Sequence, residues 1–311
     1  MRSLLLCFLL AACGDNHNAK DDAPPPADAA RDAAIDSGPD PRGPATFMLA
    51  GGANALLWDS ATSTLYLTDN NADALLTWTG ATTGVQQVGT FPAATAGISL
   101  GDLVKRADGT ILTTSFGFGT QGTLFAMAPD LTSAALTGMT ANRRRIGLGQ
   151  DAAGTLYEAY FVGGGGGTPT GGVATVALNG TAATETEIAG ATTGAGFKKL
   201  VGLVATANAV FVSDQTDKKI YKIAVPGFAV TTVATVATAD LLAIMPNGDL
   251  LTGGATDVQR VTQTGTVTTI MTGFEQVRGL AYDPALRRLF VIEHSTTVGV
   301  PDKLHVRPLD N

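Results

Sequence analysis

Cysteine is nearly missing: 311 residues carry only Cys7 and Cys13. Beyond Cys13 no thiol exists for a disulfide, a thiol nucleophile or a cysteine-ligated zinc. Histidine is almost as scarce, and past the N-terminal region only His294 and His305 are left to act as general bases or metal donors. Charged residues make up 15%, and 27 acidic against 20 basic side chains give a net −7. That balance supplies no basic surface to displace counterions from phosphates, so nucleic acid is excluded as a partner. Nowhere does the chain carry the run of about 18 apolar residues that a membrane-crossing helix needs. Hydrophobic residues, at 45%, and 38 glycines are abundant. Together they indicate a large core joined by glycine-rich turns, the balance of an all-β protein.

The first residues read as an address. Arg2 is a minimal basic start, Leu4 to Ala12 an apolar run too short to span a bilayer, and Leu10-Ala11-Ala12-Cys13 a small-residue cleavage site ending in cysteine. This tetrapeptide resembles the lipobox of bacterial lipoproteins. The resemblance implies a signal peptide over 1–12, a lipid on the Cys13 thiol, and a chain anchored in a bacterial cell envelope, on the periplasmic side or at the outer membrane or surface. Residues 13–45 then form a linker. Seven Asp and six Pro against only Lys20, Arg31 and Arg42 leave almost nothing to bury, so the segment is expected to be a disordered, extended tether.

From residue 46 onward a repeat governs the pattern. Strand-like segments begin at Thr64, Thr110, Thr155, Ala209, Asp249 and Arg288, spaced by 46, 45, 54, 40 and 39 residues. Most follow a turn such as Ala107-Asp108-Gly109 or Pro246-Asn247-Gly248, and a shorter apolar strand precedes each. One such unit fits a four-stranded propeller blade, so residues 46–311 are expected to form a six-bladed β-propeller. The last unit offers three strands only. Thr46 to Ala50, an orphan strand with no blade of its own, is expected to complete it and remove an exposed edge.

The residues Gln276 to Pro284 followed by Arg288 to Glu293, and Leu65-Tyr66-Leu67-Thr68-Asp69, resemble NHL and YWTD repeats. The stretch from Leu57-Trp58-Asp59-Ser60 to Asp69 is similar to the first blade of the senescence-marker, gluconolactonase and luciferin-regenerating superfamily. That resemblance implies a lactonase with a divalent metal in the axial channel, held by a Glu four residues before the blade-one Trp and by Asn and Asp from later blades. Here the position four before Trp58 is Asn54, and Ile146, Val201 and Arg278 stand at the corresponding places of other blades.

Local motifs carry less. Gly97-Ile98-Ser99-Leu100-Gly101 spells a nucleophile elbow without the helix that must follow it. Gly117-Phe118-Gly119-Thr120-Gln121-Gly122 spells a phosphate loop, but a strand pattern, Thr123 to Met127, follows where a helix should begin. Gly163 to Gly167 reads as a loop tip. Asp69, Asn71 and Asp73 place oxygens at alternate positions as calcium loops do, yet Ala74 replaces the turn glycine and no Glu closes the loop. Capping of the turn by Asp69 is the simpler reading, calcium the alternative, and no other cofactor is expected.

Topology selects the face for a ligand. Loops between second and third strands share one face with the connections into each next blade, around the axial channel. This brings Asp214, Glu293 and His294 together with Arg143, Arg144, Arg145, Lys198, Lys199 and Arg278, a cationic rim suited to a carboxylate, phosphate or anionic glycan. The expected function is a lipid-anchored extracytoplasmic binding or assembly module for a small anionic ligand, a glycan or an envelope protein, with membrane contact through the Cys13 lipid only. The alternative is a metal-dependent, lactonase-like hydrolase. Cys13→Ser is expected to give an unlipidated protein that leaves the membrane fraction; continued palmitate labelling of that variant would reject the anchor.

Overall fold

A computed structural model of the chain describes residues 43–80, 82–92, 99–117, 122–163 and 167–309. The expected signal peptide and nearly all of the expected tether lie outside these residues. So do Gly97 and Ile98, positions 118–121, and positions 164–166 of the motifs above.

Among the described residues there is no helix, and 24 strands form six antiparallel four-stranded sheets. The short strand β1 (Ala45–Met48) precedes blade one, which consists of β2 (Ala53–Asp59), β3 (Thr64–Asp69), β4 (Ala74–Trp78) and β5 (Val85–Thr90). Blade two comprises β6 (Ser99–Lys105), β7 (Ile111–Phe116), β8 (Thr123–Met127) and β9 (Ser133–Ala135). Blade three comprises β10 (Arg144–Gln150), β11 (Leu156–Val162), β12 (Thr170–Asn179) and β13 (Ala182–Ala189). Blade four follows with β14 (Leu200–Thr206), β15 (Ala209–Asp214), β16 (Lys219–Ala224) and β17 (Val230–Thr235). In blade five the strands are β18 (Leu242–Ile244), β19 (Leu250–Thr252), β20 (Asp257–Val261) and β21 (Val267–Thr272). Blade six is built from β22 (Val277–Asp283), β23 (Arg288–Glu293) and β24 (Lys303–Pro308), with β1 as its fourth, outer strand. The six-bladed propeller and its closure by the N-terminal strand are thus as expected, with the closing strand at 45–48. Ser99 to Gly101 and Thr123 to Met127 lie in strands, so neither glycine motif leads into a helix.

Burial follows radial position. Every residue of β15 and β23 is buried, because blades pack against both faces of these second strands, whereas β5 and β21 at the rim alternate between half-buried and exposed. In five of the six blades the turn between first and second strands holds a left-handed residue. Gly109, Gly154 and Gly248 supply it at φ of 85°, 88° and 84°, and Ser63 and Arg287 take the same role at 51° and 50°.

Two devices hold neighbouring blades together near the axis. The innermost strands approach so closely that a Cβ on Gly147 would lie 2.9 Å from the Gly202 backbone, and one on Gly279 would lie 2.7 Å from Asn54 O. Hydroxyls at one position of the second strands then bridge blades. Ser213 Oγ accepts from Gly202 N at 2.9 Å and donates to Asp240 O of the next blade at 2.6 Å. Thr114 Oγ1 donates to Ile146 O at 2.7 Å, and Thr68 Oγ1 accepts from Ala55 N at 3.1 Å and lies 3.4 Å from Gly101 O.

Closure is equally specific. β1 pairs antiparallel with β24 from Ala45↔Val306 to Met48↔Lys303, Arg307 Nη1 donates to Ala45 O at 2.8 Å, and Phe47 meets the Trp78 ring edge at 5.8 Å. Deleting residues 45–49 is therefore expected to lower stability by several kcal/mol, read as a large fall in Tm, with deletion of 14–42 as a control that leaves Tm unchanged. Ser213→Ala orphans a buried N–H and a buried carbonyl and is expected to cost about 1–3 kcal/mol in urea unfolding.

Candidate ligand site

Strand periodicity divides the expected cationic rim. Successive side chains of a strand point to opposite sides, so three consecutive arginines cannot all face one ligand. Arg145 is fully buried inside blade three: Nε meets Glu158 Oε2 at 3.0 Å, Nη2 meets Glu185 Oε1 at 2.5 Å, and the remaining donors reach the Gly122 and Thr140 carbonyls at 2.7 Å. Arg143 lies on the same side, 3.7 Å over the Tyr160 ring and 3.3 Å from Glu185. Tyr160 donates in turn to Glu187. Burial, reinforced by Glu185, pushes the Glu158 carboxyl well above its ordinary range. Burial acts on Glu185 too, but its hydrogen bond with Glu158 and the charge of Arg145 hold it down at about 2. Arg143 and Arg145 are thus structural, in a network that sequence order alone does not reveal because its carboxylates come from β11 and β13.

Arg144 points the other way, its guanidinium 5.0 Å from the Phe161 ring centre. The lysine pair splits likewise. Lys198 pairs with Asp217 at 2.5 Å, while Lys199 Nζ lies 5.8 Å from Phe161, with Arg144, Asp240 and Arg278 as its charged neighbours. Three cations of the expected rim therefore gather at the channel mouth: Arg144, Lys199 and Arg278.

The carboxylates expected beside them are mostly committed to loops. Asp214 accepts from the backbone N–H groups of Lys198, Lys199, Thr216 and Asp217 at 2.7–3.2 Å. Glu293 receives His305 Nε2 at 2.5 Å and Glu275 N at 3.0 Å. His294 sits farther out, with Nδ1 2.9 Å from Asp302 Oδ1. Asp69 Oδ1 accepts from Asn71 N at 2.8 Å and Ala72 N at 3.2 Å, the turn-capping arrangement. Among the described residues no three His, Cys, Asp or Glu side chains are grouped as a metal would need, at Asp69, Asn71 and Asp73 or elsewhere.

The mouth has a different acid at its centre. Asp240 is buried just before β18, with Oδ1 accepting from Leu241 N at 3.0 Å and Oδ2 3.9 Å from Arg278 Nη1. Burial raises its carboxyl to about 6, and Arg278 and Lys199 keep it from rising further. Desolvation lowers Arg144 and, together with the charges of Arg144 and Arg278, lowers Lys199. Register shifts in the innermost strands fall at this level in five blades, between Ala53 and Leu56, Leu100 and Leu103, Arg145 and Gly147, Leu200 and Gly202, and Val277 and Leu280. Such bulges re-aim side chains, here at the channel mouth. Its position beside Arg278 follows from the packing of blade six against blade five.

No family model matches the chain, and no curated protein matches it in sequence. Solved structures do. A gluconolactonase from Xanthomonas campestris shares 16% identity at a TM-score of 0.65, covering 85% of this chain and 88% of that one. The calcium-binding protein regucalcin from Agrobacterium tumefaciens shares 14% at 0.62, covering 86% and 95%. Luciferin-regenerating enzyme shares 14% at 0.62, covering 86% and 96%. At these identities the likeness establishes the six-bladed fold.

The donor set at the mouth does not match a divalent cation. One carboxylate, Asp240, stands among three cationic side chains, and Asn54, four residues before Trp58, spends its Nδ2 on Leu100 O at 2.8 Å. Buried and mouth arginines should separate in unfolding experiments. Arg145→Met strands Glu185 and is expected to cost about 3–5 kcal/mol. Arg278→Ala, at a half-exposed pair, is expected to cost less than about 1 kcal/mol.

Proposed function

We propose that this chain is a lactonase-like hydrolase of a small ester or lactone that carries a carboxylate or phosphate, bound at the channel mouth. Asp240 carries the reading: it is a buried carboxyl, raised to about 6, with Arg278 3.9 Å away and Lys199 nearby. The six-bladed neighbours, gluconolactonases among them, support it as a class. Ionised Asp240 would take a proton from water as the water oxygen attacks the substrate carbonyl. Lys199 and Arg278 would stabilise the negative charge that develops on the carbonyl oxygen. Collapse breaks the ester C–O bond, and the proton held by Asp240 passes to the departing alkoxide. Arg144 would bind the substrate's own anionic group. The Leu10-Ala11-Ala12-Cys13 lipobox supports placing this activity outside the cytoplasm on a lipid anchor.

Capture of the anion without turnover is the second reading, and the presence of cations where lactonase-like propellers need metal donors favours it. The two readings have opposite pH dependence. Turnover with Asp240 as base falls as pH drops through about 6, because the protonated acid cannot accept a proton. Anion capture rises over the same interval, because protonation removes the one negative charge among three positive ones. A panel of acidic sugar lactones, assayed with and without chelator, is expected to show chelator-insensitive hydrolysis. Asp240→Asn is expected to lower it by about a hundredfold or more, and Arg287→Glu, in a turn on the opposite face, to leave it unchanged. No hydrolysis, with sulfate affinity increasing below pH 6 in wild type and flat in Asp240→Asn, would replace the hydrolase by the binding protein.

A further inference from the structure

The other end of the channel holds a second buried acid. Asp102, in the innermost strand of blade two, is 7% exposed, and its oxygens accept from Leu103 N at 3.0 Å and Leu148 N at 3.4 Å. Asp102 stands immediately before the buried Leu103, and immediately before the corresponding buried leucines Leu56, Leu148, Leu203, Leu242 and Leu280 the other blades place Ala55, Gly147, Gly202, Leu241 and Gly279, all small or apolar. A carboxyl at such a position has no packing role that the other blades need filled.

Asp102 lines a cavity of about 310 Å³ that runs along the axis, on the side of the glycine contacts away from the cationic mouth. Its wall includes Leu56, Leu148, Leu203 and Leu280, and Trp58 and Tyr282 stand at its outer end. The nearest basic residue of the same strand, Lys105, is committed to Asp59 at 2.6 Å and lies 3.3 Å from the Tyr66 hydroxyl. The neighbouring elements bring Asp102 peptide N–H groups and no cation, and burial accordingly raises it to about 8. Lys105 also lines this cavity but is committed to Asp59, and buried charges are ordinarily paired, so the Asp102 carboxyl, held at the wall with no cationic partner of its own, marks the place of an external one.

We propose that the axial cavity is a binding site for a small organic ammonium ion, whose N–H donors meet the Asp102 carboxylate and whose hydrocarbon part lies against the leucines, with Trp58 and Tyr282 at the outer end. A divalent metal is a poorer match, since a single carboxylate offers too few anionic oxygens. The aromatic pair suits the edge of a cationic organic molecule. Near neutrality the free site carries a proton on Asp102. Binding exchanges it: the ammonium retains its charge, the carboxyl O–H bond breaks, and one proton goes to solvent.

The site is independent of the Asp240 reading, and the experiment separates them. Calorimetric titration with n-butylammonium, repeated in buffers of different ionisation enthalpy, is expected to show saturable binding with release of close to one proton near neutrality. Asp102→Asn is expected to weaken it by about tenfold to a hundredfold, the worth of a charge-assisted hydrogen bond, and Asp240→Asn to leave it unchanged. n-Butanol, of similar shape without the charge, is expected to bind far more weakly and without proton release. Absence of saturable binding in wild type, or equal affinity in Asp102→Asn, would overturn the proposal. Should Asp102→Asn fail to fold, carboxyl-carbon NMR of the wild type decides: the Asp102 resonance must move to its ionised position as amine is added, and an unmoved resonance overturns the site.

Discussion

The close approach of the six innermost strands is the constraint on which this molecule depends. Only at glycine can backbones come as near as Gly147 to Gly202 or Gly279 to Asn54, and only at that distance can Ser213 or Thr114 reach a carbonyl of the next blade. Ring closure follows from the same contacts, since each blade fixes the angle at which the next begins. Blade six has no fourth strand of its own in sequence order, and β1 returns to supply it, so the ring leaves no open edge at the junction. The channel is what these contacts leave at the axis; Asp102 breaks the glycine pattern itself, and Asp240 stands one residue before the corresponding position of blade five.

Electrostatics at the mouth follow from the two-residue period of a strand. Arg143, Arg144 and Arg145 are consecutive, so one bulged segment sends two cations into a buried carboxylate network and one to the other side, beside the Phe161 ring. Lys198 and Lys199 divide in the same way. The result is a mouth with a limited positive excess, balanced in part by Asp240, in a protein whose overall charge is −7.

The fold was legible because its signals are repeated. Turn residues such as Asp108-Gly109 and Asn247-Gly248 recur ahead of Leu- and Thr-rich strands, and six copies of a weak pattern make a strong one. The Leu10-Ala11-Ala12-Cys13 motif and the tether stand apart from that test, since they fall outside the described residues. The site was legible in part. Which loops share a face could be read from strand order, and this brought Arg144, Lys199 and Arg278 to one region. What could not be read was side-chain direction beyond a bulge: the register shift after Arg145 decides which arginine faces the channel. Asp214 and Glu293 look like ligands in sequence, but loop N–H groups and His305 occupy their oxygens. Asp102 left a signal that went unread, an acid at a register where the other blades carry Gly, Ala or Leu.

The two axial acids also bear on why such residues persist. A carboxyl whose value in the folded chain lies above its ordinary one weakens the fold as pH rises between the two values. For Asp240 that interval runs from 3.8 to about 6 and for Asp102 from 3.8 to about 8, so at neutrality both diminish stability. Asp283 differs: it holds Arg288 at 2.9 Å within a cage of Trp58, Trp78 and Phe290, and there the acid is compensated by a cation in the chain itself. Asp240 is only partly compensated by Arg278 and Lys199, and Asp102 not at all by any side-chain cation. On the two proposals above, the unmet part of each charge is left for what enters from solvent: a proton in transit at one end, a cation at the other.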